Sequence, residues 1–205
     1  MIKIILVRHA ETDWNKEKRI QGSLSDTPLS ETGKHQVKCV AGRLRSESIQ
    51  AVYSSPLKRA LHTAEAIAGE HGLEVDTFDT LREINVGELE GTLSSDIKMN
   101  FDQFVCCRNG SEELQKLPGG ESMNDVQRRA WDTISSLASK HTGETIVVVT
   151  HYFVIMAIVC RVLNLPLTQV MRLRLRNGTI TTFTLNENNE PRLESFNDNG
   201  HIQNN

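Results

Sequence analysis

The 205-residue sequence lacks the features that define several broad classes of protein. It has no stripe of basic residues and carries a formal net charge of −3, so its composition disfavours a nucleic-acid partner. Its four cysteines show neither metal-ligand spacing nor a small disulfide scaffold, and they favour reduced thiols in the cytoplasm. No apolar run is long enough to cross a bilayer, and the first one, which stops at Arg8, is too short for a signal peptide. We therefore expect a cytoplasmic protein with no membrane or nucleic-acid partner.

Internal repeats, low-complexity segments and a linker between domains are also absent from the sequence. A chain of this length can bury a sizeable core as one unit. We therefore predict a single domain over residues 1–205. Residues 92–118 follow no regular pattern, and we predict that they form a small cap-like insertion.

A short apolar run at residues 4–7 is followed at once by Arg8 and His9. The run is rich in β-branched residues and predicts a strand buried on both faces, in the middle of a sheet. In open α/β sheets, ligands bind at the carboxyl ends of the strands. A cation and an imidazole at such a strand end suit an anionic substrate.

Predicted strands alternate with predicted helices over the first two thirds of the chain, and hairpins follow. The predicted strands cover residues 2–7, 51–54, 73–78 and 145–150, with a final hairpin of 171–175 and 179–185 around Asn177-Gly178. The predicted helices cover residues 31–44, 56–70, 123–140 and 153–163, with Ser30 and Ser122 as N-caps and Pro56 at the first helical position. This alternation predicts an α/β fold, a three-layer α/β/α sandwich with a mostly parallel sheet and an antiparallel edge.

Three predicted strands end in residues that suit a phosphate. The first ends at Arg8-His9 and the fourth ends at His151, and parallel strands deliver both histidines to one edge. The second strand ends just before a helix that carries Arg59 in its first turn. Helix N-termini attract anions, and arginine binds phosphate oxygens in a bidentate way that lysine cannot.

Several segments, taken in order, resemble the histidine phosphatase superfamily, which is also called the phosphoglycerate mutase-like fold. The matching segments are residues 6–15, 21–22, 26–33, 54–60, 63–65, 81–91, 118–122 and 149–151. The resemblance covers about residues 2–200, and the form of residues 83–91 is similar to that of the phosphatase branch. It implies hydrolysis of small phosphate esters through a phosphohistidine, without a metal or another cofactor.

The resemblance also implies a role for each matching residue. In the order of the reaction these are the nucleophile His9, the phosphate ligands Arg8, Arg59 and His151, the proton donor Glu83, and the substrate-binding positions Asn15, Gln21, Gly22 and Tyr152, the last through its backbone. Elementary chemistry supports the first and third roles. His9 must be neutral to attack phosphorus, and Glu83 must be protonated to release an alcohol. Nearby arginines lower the pKa of Glu83 and substrate phosphate raises it, so the sequence leaves the direction open.

Two positions depart from the family pattern. Ala10 replaces a common glycine, and the bulky pair Tyr152-Phe153 follows His151 where small residues are usual. That pair could narrow the pocket or stack on a substrate. Glu121 suits a helix N-terminus and could also edge the pocket.

Four readings of the function follow from these observations. The first is a phosphomonoesterase, active as a monomer or homodimer. The second is a phosphoglycerate mutase, and the third is a catalytically weak scaffold that binds phosphorylated ligands. A metal hydrolase is disfavoured, because no two histidines stand four residues apart with a carboxylate between them.

Overall fold

A computed structural model of the chain describes residues 1–96 and 116–202. Its strands are β1 (Ile2–Arg8), β2 (Ala51–Ser54), β3 (Val75–Thr77), β4 (Thr145–Thr150), β5 (Ile180–Leu185) and β6 (Pro191–Asp198). Its α-helices are α1 (Asp13–Lys16), α2 (Glu31–Leu44), α3 (Lys58–Gly69), α4 (Met123–Lys140) and α5 (Tyr152–Val162). Short 3₁₀ helices cover Asp79–Leu81, Gly87–Leu89 and Leu167–Arg172. No helix within the described residues is long and apolar enough to cross a membrane.

The strands form one six-stranded sheet in the order β3-β2-β4-β1-β5-β6. The pairs β1–β4, β2–β4 and β2–β3 are parallel, whereas β1–β5 and β5–β6 are antiparallel. This arrangement confirms the predicted mostly parallel sheet with an antiparallel edge. In the central pair, Arg8 lies opposite Thr150, so β1 and β4 end at the same level.

Helices cover both faces of the central strands, which confirms the three layers. Along β1, Ile4 and Leu6 pack with the core that includes α4 and α5, whereas Ile5 and Val7 pack with the core that includes α2 and α3. All four side chains are at most 1% exposed. Burying a side chain of this size stabilises a fold by roughly 1.5–3 kcal/mol, so two-sided burial fixes the strand firmly.

The predicted hairpin around Asn177-Gly178 is wrong. Met171 lies in a 3₁₀ helix, and residues 173–179 belong to no strand. The hairpin is instead formed by β5 and β6, and its turn includes Asn189 with a left-handed φ of 59°. Asn and Gly favour tight turns of any kind. Here the Gly178 amide donates to the carbonyl of Arg8 at 3.1 Å, so this turn contacts β1 instead of joining two strands.

Several element boundaries also differ from the prediction. The helix expected from Pro56 begins at Lys58, because the Leu57 amide donates to Ser55 Oγ at 3.3 Å and extends the turn. The third strand is shorter than predicted, and the last helix begins one residue earlier, at Tyr152. The N-caps Ser30 and Ser122 are confirmed. Residues 97–115 lie outside the described part of the chain, so the cap-like insertion stays a prediction.

Candidate active site

His9 directly follows the end of β1. Its imidazole is buried, and its hydrogen bond shows which ring nitrogen carries the proton. Its amide donates to the Thr150 carbonyl at 2.9 Å, which ties it to the end of β4. Its Nδ1 lies 2.8 Å from the carbonyl oxygen of Ala10. A carbonyl only accepts, so Nδ1 carries the proton and Nε2 keeps its lone pair. Burial lowers the pKa of His9 well below its usual value, and the charges of Arg59 and Arg8 lower it further.

His151 directly follows β4, and its proton lies on the other ring nitrogen from that of His9. Arg59 Nε donates to its Nδ1 at 3.3 Å, so Nδ1 is the acceptor and Nε2 carries the proton. His151 Nε2 lies 2.8 Å from Ser55 Oγ, which receives that proton. Burial lowers the pKa of His151 well below its usual value, and nearby Arg59 adds to the effect. The His9 and His151 ring centroids are 5.1 Å apart, so the two imidazoles share one site.

Arg59, in the first turn of α3, is fully buried beside His151. Besides its contact with His151, it donates from Nη2 to the Gly22 carbonyl and from Nη1 to the Ser25 carbonyl, both at 2.8 Å. Removal from water lowers the pKa of Arg59 to about 10, which still leaves it charged at neutral pH. Arg59 therefore holds the loop at Gly22 and Ser25 and also fixes the tautomer of His151.

Arg8 lies against the ring of Tyr152. The centre of its guanidinium is 5.1 Å from the ring centroid, within the range of a cation–π contact. Its Nη1 donates to the Leu175 carbonyl at 2.7 Å. Its Nε is buried and has no hydrogen-bond partner among the described residues, which leaves one cationic donor for a ligand oxygen. Desolvation lowers the pKa of Arg8 to about 10.

Glu83 is 4% exposed and meets the N-terminus of α5. Its Oε1 accepts from the Ile84 amide at 3.0 Å and from the Phe153 amide at 3.2 Å. Burial raises the pKa of Glu83, and the Ile84 amide and nearby arginines oppose that rise without cancelling it. The carboxyl group therefore favours its protonated form more than an exposed glutamate does, which settles the direction that the sequence left open.

Asn15 lies in α1, and Gln21 and Gly22 lie in the segment that follows this helix. Asn15 completes a capping box with Thr12, and Gln21 Oε1 accepts from Thr12 Oγ1 at 2.8 Å. Gln21 Nε2 is buried without a partner among the described residues. Gly22 cannot carry a side chain, because a Cβ would lie 2.8 Å from the Ile84 carbonyl oxygen and 2.6 Å from the side chain of Val86. The Gly22 carbonyl binds Arg59, and the contacts of all three residues with substrate remain predictions.

Within residues 1–96 and 116–202, no three His, Cys, Asp or Glu side chains form a group that could hold a metal ion.

The sequence profile of the histidine phosphatase superfamily (branch 1) matches residues 4–199. The chain belongs to this superfamily. It is 36% identical over 189 residues to phosphoserine phosphatase 1 of Hydrogenobacter thermophilus, across 91% of this chain and 88% of that relative. It is also 36% identical over 181 residues to the probable phosphoglycerate mutase GpmB of Yersinia pestis, across 88% and 84% of the two chains.

Its structure is also similar to solved members of the superfamily. A mutant phosphoserine phosphatase of Entamoeba histolytica, solved in complex with phosphoserine, superposes with a TM-score of 0.88 at 31% identity. The superposition covers 99% of this chain and 100% of that one. The predicted family and its phosphoglycerate mutase-like fold are thus confirmed.

The structure adds residues to this superfamily site that the sequence analysis did not single out. Asn177 Nδ2 donates to the His9 carbonyl at 3.2 Å and to Asn15 Oδ1 at 3.0 Å. Ser55 accepts the proton of His151, as described above. Ser55 lies in a matching segment, but nothing in the sequence indicates its partner. Asn177 was assigned to a hairpin turn, because turn chemistry is the only local signal that an Asn-Gly pair gives.

Proposed function

We propose that this chain hydrolyses small phosphate monoesters through a covalent phosphohistidine formed on His9. One observation carries the proposal. His9 is a neutral, buried imidazole whose Nδ1 proton is bound by the Ala10 carbonyl, and its Nε2 lone pair lies among two arginines and a second histidine. A neutral imidazole is a good nucleophile, and fixed positive charge stabilises a transferring phosphoryl group.

In the first step, the His9 Nε2 lone pair attacks phosphorus and the ester P–O bond breaks. The equatorial oxygens are bound by the Arg59 guanidinium and by the Arg8 guanidinium, whose buried Nε has no partner among residues 1–96 and 116–202. The His151 Nε2–H supplies a third donor, which it shares between Ser55 Oγ and a phosphate oxygen. Glu83 gives its proton to the departing alkoxide and becomes a carboxylate. Its raised pKa suits this role, because the acid form persists closer to neutral pH.

In the second step, the Glu83 carboxylate removes a proton from water, and the water oxygen attacks the phosphohistidine. The P–N bond breaks, inorganic phosphate leaves, and His9 and Glu83 return to their starting states. Every proton taken in one step is given back in the other, so no further cofactor is needed. We also propose that the protein acts in the cytoplasm, as a monomer or homodimer.

Phosphate release from a panel of phosphomonoesters tests the activity. We expect hydrolysis of p-nitrophenyl phosphate and of some small phosphorylated metabolites, among them phosphoserine, which the Entamoeba relative binds. Brief reaction with ³²P-labelled substrate and an alkaline quench should leave acid-labile label on His9. Protein that binds phosphate but releases none from any ester would favour the scaffold.

The mutase reading is supported by the 36% identity to the probable phosphoglycerate mutase. A mutase must transfer the phosphoryl group to a second hydroxyl faster than water removes it. We expect isomerisation of 3-phosphoglycerate to be negligible beside phosphate release from it. Interconversion that outruns release would establish the mutase and reject the phosphatase.

Metal independence is a separate part of the proposal. Arg8, Arg59 and His151 offer the charge and donors that a metal would otherwise supply to the phosphate. Dialysis against a chelator should leave hydrolysis unchanged. Loss of activity with recovery on adding Mg²⁺ or Zn²⁺ would revive the metal hydrolase.

A further inference from the structure

Arg129, on α4, donates three N–H groups to the segment around Glu83 and the other two to Glu121. Its Nη1 donates to the carbonyls of Thr80 at 2.6 Å and Arg82 at 2.7 Å. Its Nη2 donates to the Glu83 carbonyl at 3.2 Å and to Glu121 at 3.0 Å, and its Nε donates to Glu121 at 2.9 Å. A guanidinium has five N–H donors, so none is left over.

Glu121 binds Arg129 and also the backbone that follows Glu83. Its Oε2 accepts from the Asn85 amide at 2.8 Å, and its own amide donates to the Asn85 carbonyl at 2.9 Å. The Arg129–Glu121 ion pair therefore binds the backbone both before and after Glu83. This pair is partly buried, with side-chain exposures of 18% and 27%, which protects it from screening by solvent.

The segment held by this pair has little regular structure of its own. Between Asp79 and Leu89 it forms only two short 3₁₀ helices. The Leu81 carbonyl accepts from Thr150 Oγ1 at 2.7 Å, so four successive carbonyls, from Thr80 to Glu83, accept side-chain donors. Three of those four bonds come from Arg129, which stands on an 18-residue helix. The position of Glu83 thus depends on one side chain of a rigid element.

We propose that Arg129, held by Glu121, is a positioning residue that fixes Glu83 for proton transfer to the leaving group. The proposal rests on the proposed function, in which Glu83 is the general acid. It assigns a role to Glu121, whose carboxylate binds the Asn85 amide and Arg129. Misplacing a catalytic group by about 1 Å can cost about 10²-fold in rate, so a loosened segment should weaken proton donation strongly.

The test compares two substrates on the same protein sample. An alkyl ester such as phosphoserine has a poor leaving group that needs a proton, whereas p-nitrophenolate leaves as a stable anion and needs little help. The measured quantity is the ratio of kcat/KM values, alkyl ester over nitrophenyl ester. This ratio does not change with the fraction of folded protein. It also reports on steps up to P–O cleavage, so slow hydrolysis of the intermediate does not affect it.

For Arg129→Met we expect the ratio to fall about tenfold, with nitrophenyl phosphate turnover within about threefold of wild type. Arg129→Lys keeps the charge but cannot reach three carbonyls, so its ratio should also fall. A wild-type ratio in Arg129→Lys would show that charge alone matters and would overturn the proposal. Equal losses on both substrates in Arg129→Met would overturn it too, since they indicate a purely structural role.

Two controls separate this proposal from the proposed function. Arg128→Met removes the neighbouring arginine, which is 70% exposed and paired with Asp125, and should leave the ratio unchanged. Glu83→Gln should lower the ratio by about 10²–10⁴-fold, as expected for loss of a general acid. Adding Arg129→Met to Glu83→Gln should then change the ratio no further. If Glu83→Gln itself affects both substrates equally, Glu83 is not the proton donor and the positioning role of Arg129 falls, whereas labelling of His9 still tests the phosphohistidine separately.

Discussion

The ends of β1 and β4 look alike in the sequence but differ in their chemistry. Each is a buried strand that ends in a histidine, and the two strands are parallel neighbours in register. His9 donates a hydrogen bond from Nδ1 to the carbonyl of the next residue, and its Nε2 is unprotonated. His151 accepts at Nδ1 from Arg59 and holds its proton on Nε2 toward Ser55. One histidine is therefore set up to attack and the other to donate.

The two strands place both imidazoles in the site, whereas the group that binds each Nδ1 determines the role of that imidazole. A carbonyl beside Nδ1 makes a nucleophile of Nε2, and a guanidinium beside Nδ1 makes a donor of Nε2. Both imidazoles are kept neutral by burial and by the arginine charges. Four experiments test this contrast.

The largest effect should come from His9→Gln, which removes the nucleophile. We expect kcat/KM to fall by about 10⁴-fold or more, as for other nucleophile deletions. No labelled phosphoenzyme should form in rapid-quench reactions. Near-normal turnover by this variant would contradict the assignment, and circular dichroism would verify that the protein is folded.

His151→Gln should have a smaller effect of a different kind. Loss of one donor to a developing phosphoryl charge typically costs about 10²–10³-fold in rate. The label should still appear on the remaining histidine at the end of β1, only more slowly. If His151→Gln abolishes the label while His9→Gln retains it, the two roles are reversed.

The stability of the protein should depend on pH through both histidines. The folded protein holds them neutral with lowered pKa values, whereas the unfolded chain protonates them near pH 6.5. The free energy of unfolding should therefore fall as the pH drops below about 6.5, by up to about 1.4 kcal/mol per pH unit for each histidine. The raised pKa of Glu83 acts in the opposite direction and reduces the net slope.

Urea unfolding between pH 7.5 and pH 5 measures this slope. The combined variant of His9→Gln and His151→Gln, which has neither imidazole, should show a clearly flatter dependence than wild type. Equal slopes in the two proteins would contradict the lowered pKa values.

The smallest effect should come from Ser55→Ala, which removes the acceptor of the His151 proton. A hydrogen bond of this kind contributes about 1 kcal/mol, so we expect kcat/KM to fall about fivefold. Ser54→Ala is the matched control, because Ser54 is equally buried but its Oγ donates to the backbone carbonyl of Ser55 instead of binding a histidine. Equal losses in the two variants would mean that Ser55 does not orient the imidazole.

Local patterns were enough to predict β1 to β5 and most of the helices, but they missed β6 and placed a strand at residues 171–175 where none exists. The apolar runs of β1 and β4 are unambiguous, and Ser30 and Ser122 lie where caps were expected. The Asn177-Gly178 turn was misassigned, since the same pair suits a hairpin or a loop that contacts β1. Arg129 gave no signal at all, because a partly buried arginine on a helix resembles any solvated one until its partners are known.

The pattern of predicted strands was enough to place two histidines and two arginines at one edge of a parallel sheet. That result needs only the period of the apolar residues and the rule that parallel strands point the same way. The tertiary structure was needed to assign the proton to one nitrogen of each imidazole and to find the direction in which the pKa of Glu83 moves. The reason is that hydrogen bonds and desolvation act over a few ångströms in space. The groups that supply them, such as Arg59 for His151 and the Phe153 amide for Glu83, lie 92 and 70 residues away along the chain.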